Sequence, residues 1–281
     1  MYWLKKNLPK IVLSPSLALL AWFVYGFILW TAYISLTKSK ILPKYDLWGI
    51  GQYVRLWSMD RWHTAVGNLA IYTVLFLVLC IAIGIVLAIL LDQKIRAEGV
   101  LRTIYLYPMA LSFIVTGTAW KWVMNPTLGI EKFFIDIGFE NFTFDWLVTP
   151  GMSIYCIVIA GVWQSSGFIM AIFLAGLRSI DDEILKAAKI DGAGLFSIYS
   201  KIILPMMRPV FMSAVVILVH LSIKSYDLVI ALTSGGPGTS SDMPAVFMTQ
   251  YAFNRSEVAL ASSAAMMMFL TVTAIVIPYL Y

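Results

Sequence analysis

The sequence has little charge. Charged residues make up 12% of its 281 residues, whereas an ordinary soluble domain has about 25%. Hydrophobic residues make up 60%, and the mean hydropathy is +0.85. This composition excludes a soluble globular domain, a disordered chain and a coiled coil, since each needs a more polar or more periodic sequence. It therefore indicates an integral membrane protein.

Residues that bind phosphate or metals are also scarce. No Gly-Lys dipeptide occurs, which excludes the phosphate loop of an ATPase, where glycine amides and a lysine hold the phosphates. His63 and His220 are too scattered to predict a metal pair or a catalytic triad. Cys80 and Cys156 lie in apolar runs and match neither a disulfide framework nor a zinc site. We expect a chain without catalytic activity or cofactor, energised by a partner or an ion gradient.

Long apolar runs predict transmembrane helices, because backbone groups in hydrocarbon must be paired internally and about 20 apolar helical residues cross a bilayer. Five runs contain no charged residue. A sixth contains His220, Lys224 and Asp227, which are costly at the bilayer centre and mark it as functional. The predicted fold is all-α: one polytopic membrane domain over residues 1–281. Its six predicted spans are about 11–36, 66–91, 103–124, 152–177, 207–232 and 258–281.

The ends of the first span indicate the orientation. It follows Lys5, Lys6 and Lys10, but it is longer than the apolar region of a signal peptide and lacks a convincing cleavage site, so we expect it to stay as an anchor. With the N-terminus inside, the linkers at 92–102, which contains Lys94, and at 178–208 are cytoplasmic. A small majority of the Lys and Arg residues then lies inside, which agrees weakly with the positive-inside rule.

A polar segment, residues 178–205, separates the fourth and fifth spans. Ser179 followed by Asp182 resembles a capping box, and Gly192 can take the left-handed conformation that ends a helix. These residues predict a short helix, a turn and a second helix. They equally fit an amphipathic helix on the membrane surface, with the charged side chains facing water and three apolar side chains packed down onto the membrane: Ile180, Ile184 and Ala188.

The same segment resembles the cytoplasmic loop of permease subunits of ATP-binding-cassette (ABC) importers, whose hallmark is E-A-A-x-x-D-G-A followed, after five residues, by F-x-x-I-x-L-P. The matching residues are Ala187, Ala188, Asp191, Gly192, Ala193, Ile202, Leu204 and Pro205, with Tyr199 at the aromatic position. Lys186 stands where the family has glutamate, and Glu183 lies one turn earlier. Other motifs, from Asn68 to Gly235-Gly236-Pro237, resemble the carbohydrate-uptake branch, which includes maltose permeases. Residues 227–233 and the end at 266–281 are most similar to glucose/mannose-type permeases.

The resemblance implies a multi-pass permease of a bacterial or archaeal cytoplasmic (inner) membrane that moves a sugar, glucose or a related monosaccharide, by alternating access. The implied partners are a second homologous permease in a heterodimer, two cytoplasmic ATP-binding subunits, an external sugar-binding protein and membrane lipid, but no nucleic acid. The ATPase-coupling residues would be Glu183, Lys186, Ala187, Ala188, Asp191, Gly192 and Ala193. The outer loops at 37–65, 125–151 and 235–257 are candidate docking surfaces for the binding protein.

Polar and aromatic side chains in two spans are candidates for a sugar pathway, since sugar hydroxyls need hydrogen-bond partners and sugar ring faces stack on aromatics. They are Trp163, Gln164 and Ser166 in the fourth span and Ser222, Lys224, Ser225 and Asp227 in the fifth. An interfacial Lys224–Asp227 ion pair would need no ligand. Trp120 and Trp122 fit an aromatic belt at the outer interface.

Two other functions stay open from the sequence. An ATP-independent secondary carrier or channel would use Lys224, Asp227 and His220 for ion coupling or gating. An importer of the same superfamily for amino acids, phosphate or polyamines would need a cluster of one charge, which the pathway candidates lack.

Overall fold

The computed structural model of the chain describes residues 2–42, 44–93 and 95–277, so Lys94 and the end at 278–281 lie outside the described residues. Within these ranges the chain is built almost wholly of helices, which confirms the predicted all-α fold. The only pairing of extended backbone in the same ranges is an isolated bridge between Thr37 and Leu47.

The α-helices, numbered in chain order, are α1 (Tyr2–Ser35), α2 (Gly51–Trp57), α3 (Asp60–Asp92), α4 (Glu98–Leu106), α5 (Phe113–Val123), α6 (Ile130–Asp136), α7 (Ser153–Arg178), α8 (Asp182–Ile190), α9 (Leu195–Ile198), α10 (Leu204–Met206), α11 (Arg208–Ile223), α12 (Tyr226–Leu232), α13 (Pro244–Thr249) and α14 (Val258–Val276). A 3₁₀ turn at Tyr107–Ala110 follows α4. Single π-helical turns at Tyr199–Ile203 and Gln250–Asn254 follow α9 and α13.

Four helices are long and apolar enough to cross a membrane as they stand: Val12–Ser35 within α1, and α3, α7 and α14. Two bent pairs reach that length only together. Glu98–Ala110 meets α5 at 100°, and Leu195–Met206 meets α11 at 64°. The described part of the chain thus has four candidate spans, or up to six if each bent pair crosses once, and the count of six stays a prediction.

Two of the predicted spans are interrupted. Within 103–124 the chain breaks after the 3₁₀ turn, because Leu111 is extended and Ser112 caps a new helix by accepting a hydrogen bond from the Val115 amide. Within 207–232 the break falls at Lys224 and Ser225, between α11 and α12. At these two places a polar residue in an apolar run coincides with a helix boundary.

The chain divides into two compact units, one of residues 60–246 with 271–277 and one of residues 2–59 with 247–270. The core of the larger unit lies between α3 and α7. A Cβ on Gly84 would lie 2.7 Å from the Ile169 side chain, and one on Gly161 would lie 2.5 Å from the Tyr72 hydroxyl. Glycines at both places let the two helices approach closely, as is common between helices in membranes.

Polar side chains join several helix ends at one end of the larger unit. Arg178 at the end of α7 pairs with Asp92 at the end of α3 at 3.5 Å and with Glu98 at the start of α4 at 2.8 Å. Gln93 also donates to the Tyr199 hydroxyl at 3.3 Å, which places the segment after α8 at this end. We call this the α8 end; the start of α3 and the loop before α13 lie together at the opposite end.

Candidate functional site

The start of α8 is capped by Asp181, whose carboxylate accepts a hydrogen bond from the Glu183 amide at 2.9 Å. The predicted capping box at Ser179 is wrong. α7 continues to Arg178, so the Ser179 hydroxyl belongs to the end of that helix and donates to the Gly176 carbonyl at 2.7 Å.

The end of α8 is as predicted. Gly192 has a φ of +79°, in the left-handed region. Its amide donates to the Lys189 carbonyl at 3.1 Å, and the Ala193 amide donates to the Ala188 carbonyl at 3.0 Å. These two bonds form a Schellman motif, which satisfies carbonyls that a helix end otherwise leaves free.

One face of α8 packs against the rest of the larger unit. Ala188 is 8% exposed and belongs to the core, and Leu185 packs against that core. Ile184 is 39% exposed, so within the chain Leu185 rather than Ile184 accompanies Ala188 in contacting the core. Ala188 faces its own chain and fixes α8 in place, and its assignment as a coupling residue stays a prediction.

The opposite face of α8 and the following turn are exposed. Ile190 and Phe196 are each 86% exposed, and Leu195 is 69% exposed. Large apolar side chains grouped around one turn are typical of a surface that binds another protein. We define the coupling surface as the exposed residues Glu183, Lys186, Ala187, Ile190, Asp191, Gly192, Leu195 and Phe196.

Three predicted pathway residues are buried and bonded within the chain. The Gln164 side-chain amide donates to the Leu111 carbonyl at 2.8 Å. Ser222 accepts from Thr73 at 2.9 Å, and Ser225 donates to the sulfur of Met243 at 2.9 Å. Their side chains join elements of the fold to one another, and the assignment of Gln164, Ser222 and Ser225 as sugar contacts stays a prediction.

The other pathway candidates are accessible. Trp163 is 40% exposed, Ser166 is half-buried, and Lys224 and Asp227 are exposed. No ion pair joins Lys224 to Asp227 in the part of the chain that the structure describes.

Helix α5 packs against both α7, which carries Trp163 and Ser166, and α12, which carries Asp227. Trp120 of α5 meets Trp163 edge to face, with ring centroids 5.8 Å apart. On the same helix a Cβ on Gly117 would lie 2.6 Å from the Ala231 Cβ of α12. Trp120 is half-buried and packs against the core, whereas Trp122 is 73% exposed, and the aromatic belt at the outer interface stays a prediction for both.

The sequence did not indicate the polar cluster at the end opposite α8. Arg61 donates to the fully buried Asp242 carboxylate at 2.6 Å, and the Asn68 side chain donates to the Ser240 and Asp242 carbonyls at 2.8 and 2.9 Å. Burial raises the pKa of Asp242 above its ordinary value, and the Arg61 guanidinium opposes that rise. Arg61 and Asp242 are 181 residues apart, so only the fold brings them together.

We expect Arg61→Met to lower the free energy of unfolding by about 3–5 kcal/mol, because it leaves the buried Asp242 carboxylate without its guanidinium. The double variant Arg61→Met/Asp242→Asn should recover most of that loss. A raised carboxyl pKa contributes stability that is present at low pH and lost as the pH rises through it, so the single variant's deficit should shrink from pH 7 to pH 5. Thermal unfolding of the purified protein at both pH values measures these effects, and an equal deficit in the single and double variants would contradict them.

Comparison with known proteins adds three findings. A family model described as binding-protein-dependent transport system inner membrane component matches residues 80–281. A probable ABC transporter permease protein of Pyrococcus horikoshii is 38% identical over 98% of this chain and 96% of its own length. The xylose/arabinose import permease protein XacH of Haloferax volcanii is 34% identical over 100% of this chain and 86% of its own length.

The fold also matches a solved structure. A chain in the crystal structure of a bacterial alginate ABC transporter, in complex with an alginate pentasaccharide-bound periplasmic protein, superimposes with a TM-score of 0.84 at 18% identity. The match covers 97% of this chain and 93% of that one. At this identity the likeness shows the fold.

Proposed function

We propose that this chain, which belongs to the family of binding-protein-dependent transport system inner membrane components, is the permease subunit of an ABC importer that moves a sugar into the cell. As a member of this family, the chain is a membrane subunit without catalytic activity. The ATP that drives transport is hydrolysed by partner subunits. The assignment of a sugar as the substrate rests on a similar protein that is described as importing xylose and arabinose.

The coupling surface is the observation that carries this proposal. An ATP-binding subunit would cover the three large apolar side chains that are exposed on the coupling surface: Ile190, Leu195 and Phe196. Leu185 and Ala188 join α8 to the core, so α8 would transmit the closure of the ATP-binding subunits to α3 and α7. Lys186 occupies the glutamate position of the family's loop and is exposed, with Glu183 available on the same surface.

The sugar would pass the accessible candidates on α7 and beside α12. Trp163, edge to face with Trp120, offers an aromatic face for a sugar ring. Ser166, Lys224 and Asp227 offer donors and acceptors for hydroxyls. We propose a second, homologous permease for the other half of the pathway, and a sugar-binding protein that docks at the end opposite α8.

The substrate we favour is glucose or a related monosaccharide. Residues 227–233, Asp-Leu-Val-Ile-Ala-Leu-Thr, are most similar to glucose/mannose-type permeases. This segment forms most of α12 and begins three residues after Lys224.

Binding-protein-stimulated ATP hydrolysis tests the proposed function. The chain would be purified with its partner permease and ATP-binding subunits, and hydrolysis measured with the binding protein loaded in turn with glucose, mannose, xylose, arabinose or maltose. We expect stimulation by at least one sugar, strongest with glucose. Stimulation by an amino acid but by none of the sugars would contradict the sugar assignment, and hydrolysis indifferent to the loaded binding protein would contradict an importer.

We expect Lys224→Ala to lower sugar uptake about tenfold, since a hydrogen bond from a charged group contributes about 1.5–3 kcal/mol. The amount of protein in the membrane should not change, because Lys224 is exposed and has no ion pair in the described part of the chain. Lys10→Ala, at an exposed lysine of α1 that has no ion pair in the described part of the chain, is the control. Unchanged uptake kinetics in Lys224→Ala would count against its role in the pathway.

A further inference from the structure

A hairpin follows α1 directly. The Trp48 amide donates to the Leu36 carbonyl at 2.7 Å, and the Lys38 amide donates to the Asp46 carbonyl at 3.2 Å. Inside the turn the Ser39 hydroxyl donates to the Lys44 carbonyl at 2.8 Å. We call residues 36–42 and 44–48 the 36–48 hairpin; Pro43 lies outside the described residues. The backbone bonds hold these two segments together.

Aromatic contacts fix the depth of the 36–48 hairpin. The Tyr45 ring lies 6.3 Å from the rings of both Trp30 and Tyr33, and the Tyr33 hydroxyl donates to the Tyr45 carbonyl at 3.4 Å. Trp30 and Tyr33 lie about 3–8 Å along the axis from the end of α1 at Ser35. Tryptophan and tyrosine near the end of a span lie at the level of the lipid headgroups. The hairpin therefore folds back to that level instead of projecting into water.

At this depth the hairpin and the residues after it expose large apolar side chains. The exposed fractions are 69% for Ile41, 74% for Leu42, 66% for Leu47 and 70% for Ile50. In water this surface would be unfavourable, whereas at the boundary between headgroups and acyl chains each side chain is buried.

A cavity of about 170 Å³ has Lys40 and Trp48, the chain neighbours of Ile41 and Leu47, among its lining residues. Its charged lining residues are Lys38, Lys40, Arg55 and Glu257. Arg55 and Glu257 neutralise each other at 2.5 Å, whereas neither lysine has an ion pair among the described residues. The cavity thus keeps an excess of positive charge.

Gln52 adds an unused acceptor to the same cavity. The side chain is 5% exposed, and its amide donates to the Thr37 carbonyl at 3.0 Å. Its Oε1 atom has no hydrogen-bond partner in the described structure. A buried acceptor of this kind is costly unless a ligand or water supplies a donor.

We propose that the 36–48 hairpin is an interfacial anchor whose cavity binds the headgroup of an anionic phospholipid. The phosphate lies between Lys38 and Lys40, a headgroup hydroxyl donates to Gln52 Oε1, and the exposed apolar side chains enter the adjoining acyl region. A docking protein could also supply acidic groups, but the depth set by Tyr45 favours lipid. None of its residues belongs to the coupling surface or to the pathway candidates, and the proposal does not depend on the transported sugar.

Lipid retention tests the charged part of the proposal. The assembled complex would be reconstituted in phosphatidylcholine containing phosphatidylglycerol, extracted in mild detergent, and the bound phosphatidylglycerol counted by native mass spectrometry. We expect Lys38→Ala/Lys40→Ala to weaken retention about 30-fold, since each lysine near an anionic surface contributes about fivefold. Lys121→Ala/Lys132→Ala removes the same charge from other exposed positions and should retain lipid as the unsubstituted protein does.

Three outcomes would overturn the proposal. The first is equal lipid retention in the two double variants, and the second is displacement of the lipid by millimolar inorganic phosphate. The third is a Lys38→Ala/Lys40→Ala protein that retains lipid normally but loses the ATP hydrolysis stimulated by the binding protein. The last would make the patch a protein-docking surface.

A depth measurement tests the apolar part. A bimane label on Leu42→Cys should be quenched by brominated phospholipids, whereas the same label on Asn141→Cys, exposed in another loop, should not be. The native Cys80 and Cys156 are buried and should not react. Equal quenching at the two positions would contradict the anchor.

Discussion

Gly167→Ala should leave little folded permease in the membrane and no measurable transport. A Cβ at this position would lie 1.8 Å from the Tyr105 carbonyl oxygen and 2.6 Å from the carbonyl carbon. Because these atoms are backbone, no side-chain rotation relieves the clash, and α4 and α7 must separate. Overpacking a core typically costs about 1–3 kcal/mol, and a clash with backbone costs more. The same stretch of α7 presents Trp163 and Ser166, so the pathway candidates would move with it.

A matched substitution separates this effect from the general cost of replacing a glycine. Gly67 also lies within a long helix, α3, and a Cβ there would have no atom within 4 Å. Gly67→Ala should therefore preserve both the amount of folded permease in the membrane and its transport activity, since alanine favours a helix more than glycine does. The amount and the melting temperature of the extracted protein measure the difference. A Gly167→Ala protein with the same amount and melting temperature as Gly67→Ala would show that the close approach of α7 and α4 is not required.

Gly192→Val should lower binding-protein-stimulated ATP hydrolysis more than tenfold while the chain still inserts into the membrane. A Cβ at Gly192 would meet nothing within 4 Å, so the effect comes from the backbone alone. Its φ of +79° is strained for any L-residue and most of all for a β-branched one. A change of this backbone conformation would break the Schellman bonds and reorient Ile190 relative to Phe196, on the two sides of the turn.

Two controls accompany Gly192→Val. Gly192→Asn should keep most of the stimulation, because asparagine tolerates the left-handed conformation. Gly194→Ala lies two residues away at a φ of −68°, again with nothing within 4 Å, and should behave as the unsubstituted protein. Full stimulation in Gly192→Val would mean that the turn does not hold the coupling surface in its functional shape.

Local signals in the sequence predicted the helical class and the turn at Gly192. Long apolar runs indicate helices because, in hydrocarbon, a single segment can satisfy its backbone hydrogen bonds only as a helix. The predicted span at 152–177 accordingly corresponds to α7 at Ser153–Arg178. The turn at Gly192 was predictable because a glycine that follows the end of a helix commonly takes the left-handed conformation that terminates it. Both inferences use only neighbouring residues.

The positions of the polar side chains could not be predicted in the same way. α3 is apolar on all sides, so its sequence does not show which face packs against α7 and which meets lipid. For the same reason Ser222 and Ser225 could not be assigned to a pathway or to the core, and the structure places both in contacts within the chain. The partnership of Arg61 with Asp242 depends on the whole fold.

Sugar accumulation in proteoliposomes tests most directly the claim that this chain is the permease of an ABC sugar importer. The complex of this chain, its partner permease and the ATP-binding subunits would be reconstituted, and labelled glucose uptake measured with and without ATP and the loaded binding protein. We predict accumulation that requires both and that is lost in Gly192→Val. Sugar flux that proceeds equally without ATP and without the binding protein would contradict this claim and indicate a secondary carrier or channel.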